Sequence, residues 1–130
     1  MRRTRRGSNA VEFALLFPVV ALLVLGTLQW AFYFIKLEAV TLAAQAGVKA
    51  GSRTRLADNP VAAARARAAQ SLAGTYPFSV PAGTTYTGSL VDGDIVTVTV
   101  TVPTSALVNI SMITTPSTIR ARARMQLDKP

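Results

Sequence analysis

The chain contains no cysteine and no histidine, and each absence removes a class of function. Without cysteine there is neither a disulfide framework nor a thiolate metal site. Without histidine the chain lacks the residue that most often serves as a general base or metal ligand. The sequence also contains no glycine-rich phosphate loop and no nucleophile paired with a base. We therefore expect neither enzymatic activity nor a bound metal or cofactor.

Acidic residues are scarce as well. Six Asp and Glu stand against fourteen Lys and Arg in 130 residues, which gives a formal charge of +8. Four of these positive charges lie within residues 2–6. Half of the residues are apolar, but they concentrate in one long run and in alanine-rich stretches. The rest of the chain is therefore long enough for one small domain with a thin core of Ala and Val.

The longest stretch without a charge covers residues 13–35. As a helix rising ~1.5 Å per residue it would reach roughly 35 Å, slightly more than the ~30 Å hydrocarbon core of a bilayer. A cleavable secretory signal has a shorter apolar core that ends in small residues, whereas this stretch ends in Trp30 and three further aromatic residues. Such an ending is typical of an interfacial aromatic belt. We predict a retained transmembrane helix over residues 8–35.

The basic residues around the span predict its orientation. Four arginines precede it, while only Lys36 follows it closely. Cytoplasmic flanks of membrane helices carry the excess of Lys and Arg. We therefore expect the amino terminus to stay in the cytoplasm and residues 36–130 to be translocated.

Glu12 and Pro18 stand out in this helix, whose other polar groups within the uncharged stretch are Thr27 and Gln29 near its far end. Proline lacks a backbone donor, and we expect it to kink the transmembrane helix at position 18. Glu12 places a carboxylate at the edge of the hydrocarbon, where it costs less than the ~2.5–3.5 kcal/mol of a charge at the centre. It is either a first-turn residue favoured by the helix dipole or the partner of a positive charge on another chain.

The residues from Arg5 to Pro18 form the pattern Arg-Arg-Gly-x-x-Ala-Val-Glu-Phe-Ala-Leu-x-x-Pro, which a Leu/Val run follows. This pattern, dense over residues 5–34, resembles the TadE-like family of pseudopilins or minor pilins of the bacterial tight-adherence (Flp-type) pilus. The resemblance implies a structural or assembly component of that pilus with a pilin-like fold. It implies other pilus subunits or assembly proteins as partners. It also implies a single-pass protein of the inner membrane with a periplasmic head, or incorporation into an extracellular pilus.

In that family a prepilin peptidase cuts the precursor after the glycine. Carried over to this sequence, the pattern makes residues 1–7 a basic leader and puts the scissile bond between Gly7 and Ser8. Glu12 becomes the fifth residue of the mature chain. The new amine at Ser8 would lie one helical turn from Glu12, and the corresponding amine of a neighbouring subunit could neutralise this carboxylate.

The remaining residues, 36–130, predict a small α+β head. The helical pattern continues past the span, where Ala43, Gly47 and Gly51 place small residues on one face at intervals of four. Such a face allows close helix packing, either by a second helix of this chain or by another subunit. That second helix is predicted from Pro60 to Ala73, with an N-cap at Asn59 and an end at Gly74. Three strands of a helix-packed antiparallel meander follow: Thr84–Val91, Asp94–Val102 and about Ser117–Leu127.

Two of these strands have alternating patterns. In the second strand valines alternate with threonines, which predicts one buried face and one face of hydroxyls. In the third strand Arg120, Arg122 and Arg124 share a face. No aromatic residues interleave with these arginines to stack bases, so we interpret them as a solvated face and expect no nucleic-acid partner.

Two alternatives from other functional classes stay open. One is an unprocessed single-pass protein that presents a small adhesive or anionic-surface-binding head. The other, ranked last, is a basic periplasmic module that binds DNA or polysaccharide. The apolar loop from Leu107 to Ile113 is either a contact for a partner or a lid over the thin core.

Overall fold

One helix, α1 (Arg5–Ser52), runs for 48 residues through the predicted span and into the head. The computed structural model describes residues 5–105 and 115–128, with side chains from Asn9 onward. The loop from Leu107 to Ile113 and residues 1–4 of the predicted leader lie outside the described residues. At ~1.5 Å per residue α1 is roughly 70 Å long, about twice the thickness of a hydrocarbon core. One bilayer can therefore hold only about half of it.

The amino-terminal half of α1 meets the requirements for a membrane-spanning helix. Within residues 9–52 an 18-residue window reaches a mean hydropathy of 2.4, and none of that window is buried inside the protein. Pro18 lies inside α1, and the helix continues on both sides of it. The described chain thus has one helix that is long and apolar enough to cross a membrane, and the kink at Pro18 stays a prediction.

The second helix, α2 (Pro60–Thr75), follows a short 3-10 turn at Leu56–Asp58. Asn59 caps it as predicted, because its side-chain oxygen accepts a hydrogen bond from Ala62 N at 3.2 Å. Pro60 occupies the first turn, where its missing N–H costs nothing. The predicted end at Gly74 is wrong, because α2 continues to Thr75. It is Tyr76, in an extended conformation, that closes the helix by donating its N–H to Leu72 O at 2.8 Å.

Three strands form one antiparallel sheet in the order β1-β2-β3: Thr85–Val91, Ile95–Pro103 and Thr118–Gln126. The first two are joined at Asp92 and Gly93, whose φ angles are 53° and 75°. Two successive residues with positive φ match the twist that a tight hairpin needs. Asp94 N donates to Val91 O at 3.3 Å to close the turn. Each strand begins and ends within about a residue of its predicted bounds.

Both helices pack on one face of this sheet, and the core between them consists mostly of small residues. The sheet contributes the four valines of β2, which are fully buried, together with Ile119. The second half of α1 contributes alanines and valines from Ala39 to Val48, and α2 contributes Ala64, Ala68 and Leu72. The fold is therefore α+β, with a long amino-terminal helix, a short second helix and an antiparallel meander. This confirms the predicted fold class.

Candidate functional site

The amino-terminal junction is helical. Because α1 begins at Arg5, the backbone of Gly7 and Ser8 lies in its first turns. Glu12 follows Ser8 by four residues, so the two positions share one helix face at a spacing of about 6 Å along the axis. The side chain of Glu12 is exposed at this end of the helix. This geometry is compatible with charge pairing at Glu12, while the cleavage and the pairing themselves stay predictions.

Bulky apolar side chains surround the first half of α1 on all sides. Those that are more than half exposed include Val11, Phe13, Leu15, Leu16, Phe17, Val19, Val20, Leu23 and Val24. A water-soluble helix would bury one apolar face, whereas a helix that is apolar all round suits lipid. The exposed half ends in a cluster in which the ring of Trp30 lies 5.6 Å from Tyr33 and 6.0 Å from Phe34. Aromatic residues are enriched at this depth, where hydrocarbon meets water.

Directly beside this aromatic cluster, the head contacts α1. Lys36 Nζ donates to Ser105 O at 3.5 Å, which ties the end of β2 to the helix. Gln29 is only 3% exposed, and neither polar atom of its amide has a hydrogen-bond partner among residues 5–105 and 115–128. A small recess here is lined by Gln29, Tyr33, Thr104 and Thr115, among others. The sequence shows Gln29 as a polar residue of the span, but it does not predict the burial of its side chain, which depends on a chain segment some 75 residues away.

The small residues of α1 contact the second helix of the same chain. A Cβ atom at Gly47 would lie 2.8 Å from Ala64 O and 2.9 Å from Ala68 Cβ. At Gly51 it would lie 2.8 Å from Ala64 Cβ. Ala43, on the same face, is fully buried. In this chain α2 therefore occupies the face that these residues form.

The side of the sheet that faces away from the helices, here called the outer face, carries hydroxyls and guanidinium groups. Each of its rows joins a residue of β1, a threonine of β2 and an arginine of β3. The rows are Thr85-Thr101-Arg120, Thr87-Thr99-Arg122 and Ser89-Thr97-Arg124. All three arginines are exposed, as the alternating pattern predicts. Thr97, in contrast, is only 3% exposed, because β2 is the central strand and the side chains of β1 and β3 cover the threonine hydroxyls of β2.

The titratable side chains give little sign of a metal site. Within residues 5–105 and 115–128, no three His, Cys, Asp or Glu side chains cluster in a way that could hold a metal ion. Burial raises the pKa of Tyr76 and of Tyr86 above the ordinary value of 10.0, because desolvation disfavours the charged phenolate. The features that carry functional information are therefore a membrane-compatible helix, its amino-terminal junction and a basic sheet face.

Comparison with known families adds one decisive observation. Residues 7–49 match the TadE-like protein family. The match begins at Gly7 and covers nearly all of α1, so it confirms the resemblance seen in residues 5–34 and extends it through Ala43 and Gly47. The match covers 43 of the 130 residues, about a third of the chain, and falls on the helix that is long and apolar enough to cross a membrane. Beyond this family model, no curated protein and no solved structure matches the chain.

Proposed function

We propose that this chain is a minor pilin or pseudopilin of a tight-adherence (Flp-type) pilus, made as a precursor that a prepilin peptidase cuts between Gly7 and Ser8. The mature chain would be held in the inner membrane by the first half of α1 and would present its α+β head to the periplasm. It would then join the pilus, or the complex that assembles it. The observation that carries this proposal is the TadE-like match over residues 7–49, which falls on a helix with an exposed apolar half.

The position of the match supports the processing step. It starts at the glycine after which cleavage is proposed, and the positive charges of residues 2–6 lie before it. A basic segment before an apolar helix favours a cytoplasmic amino terminus. Glycine is also the least helix-favouring residue apart from proline, costing ~1 kcal/mol relative to alanine. The helix is therefore easiest to open at Gly7, where a peptidase would need an extended backbone.

Intact mass of the membrane-extracted chain tests the processing. In cells with an active prepilin peptidase we expect a chain that lacks residues 1–7, and in cells without the peptidase we expect the full chain. Gly7→Ile should block the mass change, because a β-branched side chain replaces a hydrogen atom at the scissile bond. Gly26→Ile, a matched substitution within the same helix, should leave the cleavage intact. Retention of Met1 in the presence of active peptidase would overturn the processing proposal.

A second test addresses Glu12. If a subunit amine pairs with this carboxylate in lipid, Glu12→Ala should weaken subunit association by about 2 kcal/mol or more, which is roughly a 30-fold effect. Insertion of α1 should be unchanged or slightly improved, since a charge near hydrocarbon has been removed. The readouts are the number of pili per cell and the membrane-bound fraction of the chain. Glu38→Ala removes an exposed acid from the same helix and serves as the control. Normal piliation in the Glu12 variant would overturn the charge pairing. The alternative of a first-turn residue favoured by the helix dipole does not fit the described helix, because α1 begins at Arg5 and has no acidic residue in its first turn.

One observation favours a second candidate function. The exposed row of Arg120, Arg122 and Arg124 gives the head a basic face, as an unprocessed membrane protein with an anionic-surface-binding head would need. Such a protein would keep residues 1–7 and would bind anionic surfaces without assembling into pili. The mass measurement therefore separates the two candidates.

A further inference from the structure

The two edges of the sheet differ in which helix lies beside them and in how closely it approaches the strand. On the β1 edge, Arg65 of α2 donates to Gly88 O at 3.1 Å. Helix α2 comes so close that a Cβ atom at Gly88 would lie 2.8 Å from Val61 Cγ1. Among residues 5–105 and 115–128, no strand pairs with the outer side of either β1 or β3, and at the β3 edge α1 leaves a groove beside the strand. An unpaired strand edge presents N–H and C=O groups to which another extended segment can bond.

The hydrogen-bond pattern shows which groups of β3 face outward. Leu127 N donates to Asp94 O at 2.7 Å, and Thr104 N donates to Ser117 O at 2.8 Å, which fixes the alternation of the β2–β3 ladder. In an antiparallel ladder every second residue directs its backbone groups to the neighbouring strand and the others direct theirs away. The residues of β3 whose backbone groups point away from β2 are Arg120, Arg122 and Arg124, together with the terminal Thr118 and Gln126.

A groove lies along this same edge, between α1 and β3, with a volume of about 340 Å³. Its α1 wall includes Gln45 and Lys49, and residues 121–125 of β3 form its other wall, with Ala121, Ala123 and Met125 on the face of the strand opposite to the arginines. The two alanines leave space beneath the strand edge, and Met125 is 37% exposed. A strand added beside β3 would direct every second side chain into this groove, where small apolar side chains fit.

The other side chains of an added strand would lie on the outer face, next to the arginine row. Carboxylates there would be paired across the strands with guanidinium groups, and opposite charges at such positions are stabilising. A second copy of β3 would instead bring arginines against arginines, which is destabilising. The charge of this edge therefore selects an acidic strand over self-association.

We propose that the outer edge of β3 receives an extended segment of another protein, in which Asp or Glu alternates with small apolar residues. This segment would add to the sheet as a fourth strand. Its backbone would bond to the outward N–H and C=O groups of the arginines, its acidic side chains would pair with the arginine row, and its apolar side chains would enter the groove beside α1. The site does not depend on leader cleavage, so it can be tested separately from the proposed function.

The test uses the detergent-solubilised full chain and a fluorescent nine-residue peptide in which Glu and Val alternate. We expect saturable binding by fluorescence anisotropy and no binding of the same peptide with Lys in place of Glu. Arg122→Ala should weaken binding about fivefold through loss of one cross-strand charge pair. Arg122→Pro should weaken it by about a further threefold to tenfold, because proline also removes an outward N–H. Arg67→Ala, an exposed arginine of α2, should have no effect.

Two properties keep the proline variant interpretable. The N–H of Arg122 does not bond to β2, so its loss removes no bond of the existing sheet, and proline is tolerated at such edge positions. In the unaltered chain, hydrogen exchange should in addition slow within residues 118–126 when the Glu/Val peptide is bound. This measurement supports the proposal without any substitution.

Several outcomes would overturn the proposal. Equal losses for Arg122→Ala and Arg122→Pro would assign binding to the charged face alone, as for an anionic polymer. Absence of saturable binding would mean that the arginines serve to keep the edge free of partners. A concentration-dependent dimer that Arg122→Pro abolishes would assign the edge to a second copy of this chain.

Discussion

The two halves of α1 belong to one continuous helix but have opposite surroundings. In the first half Leu23 is 68% exposed, and in the second half Val40 is completely buried. The first half carries bulky side chains on all sides, while the second half places small residues against α2 and the sheet. The difference shows that one helix can serve two environments when residue size and distribution change along it. Lipid accepts large side chains all round, whereas close helix packing requires small residues on one face.

The largest expected effect tests where the first half ends. Leu23→Asp should cost about 2.5–3.5 kcal/mol of membrane insertion, because it puts a carboxylate near the centre of the span. Leu42→Asp makes the same change in the second half, at an exposed position beyond the aromatic cluster, and should leave insertion unaffected. The measurement is the carbonate-resistant membrane fraction of each variant. Equal insertion of the two variants would mean that the halves do not differ in their contact with lipid.

The next effect tests the small-residue face of the second half. Gly47→Ala should destabilise the head by about 1–3 kcal/mol, since the new methyl group would collide with Ala64 and Ala68. Gly74→Ala places the same methyl group in α2 where nothing lies within 4 Å, and should stabilise by about 0.4–1 kcal/mol. Denaturant unfolding of the detergent-solubilised chain measures both. A Gly47→Ala variant as stabilised as Gly74→Ala would contradict the close packing of α1 on α2.

The smallest expected effect is a loss of stability of the head at alkaline pH, in which the first half of α1 takes no part. Burial raises the pKa of Tyr76 above 10.0, so the folded head favours the neutral phenol. The unfolded chain loses this proton more readily, so the stabilisation is complete below about pH 10 and is lost as the pH rises through the folded-state pKa. Melting temperatures should therefore fall in strongly alkaline solution, and Tyr76→Phe should reduce this fall. Because Tyr76 lies in the head, its ionisation should not change the partition of α1 into lipid vesicles over the same pH range.

Local patterns predicted most of the fold. Asn59 and Pro60 mark the start of α2 through capping and a fixed φ, and the alternation of Val and Thr in β2 gives the buried face. Gly74 misled the prediction of the helix end, because glycine often ends helices and here Tyr76 does so instead. The cleavage between Gly7 and Ser8 and the charge pairing of Glu12 are inferred from a pattern over a short stretch of sequence, and both stay predictions.

What the sequence could not predict depends on contacts between distant segments. The burial of Thr97 follows only when β2 is known to be the central strand. The hydrogen bond from Arg65, an exposed residue of α2, to Gly88 O follows only when α2 is known to lie beside β1. The open edge of β3 likewise follows from strand order, which no alternating pattern in a single strand contains.

Helix α1 is continuous from its exposed apolar half into the core of the head, so the orientation of the head is coupled to that of the first half. Because no break separates the span from the head, turning the helix about its axis turns the sheet by the same angle. One residue inserted between Trp30 and Lys36 would swing the β3 edge by about 100° around the membrane normal and lift it by ~1.5 Å. The rotation of the span about its own axis, relative to neighbouring helices, therefore determines the direction in which the basic edge of the head faces.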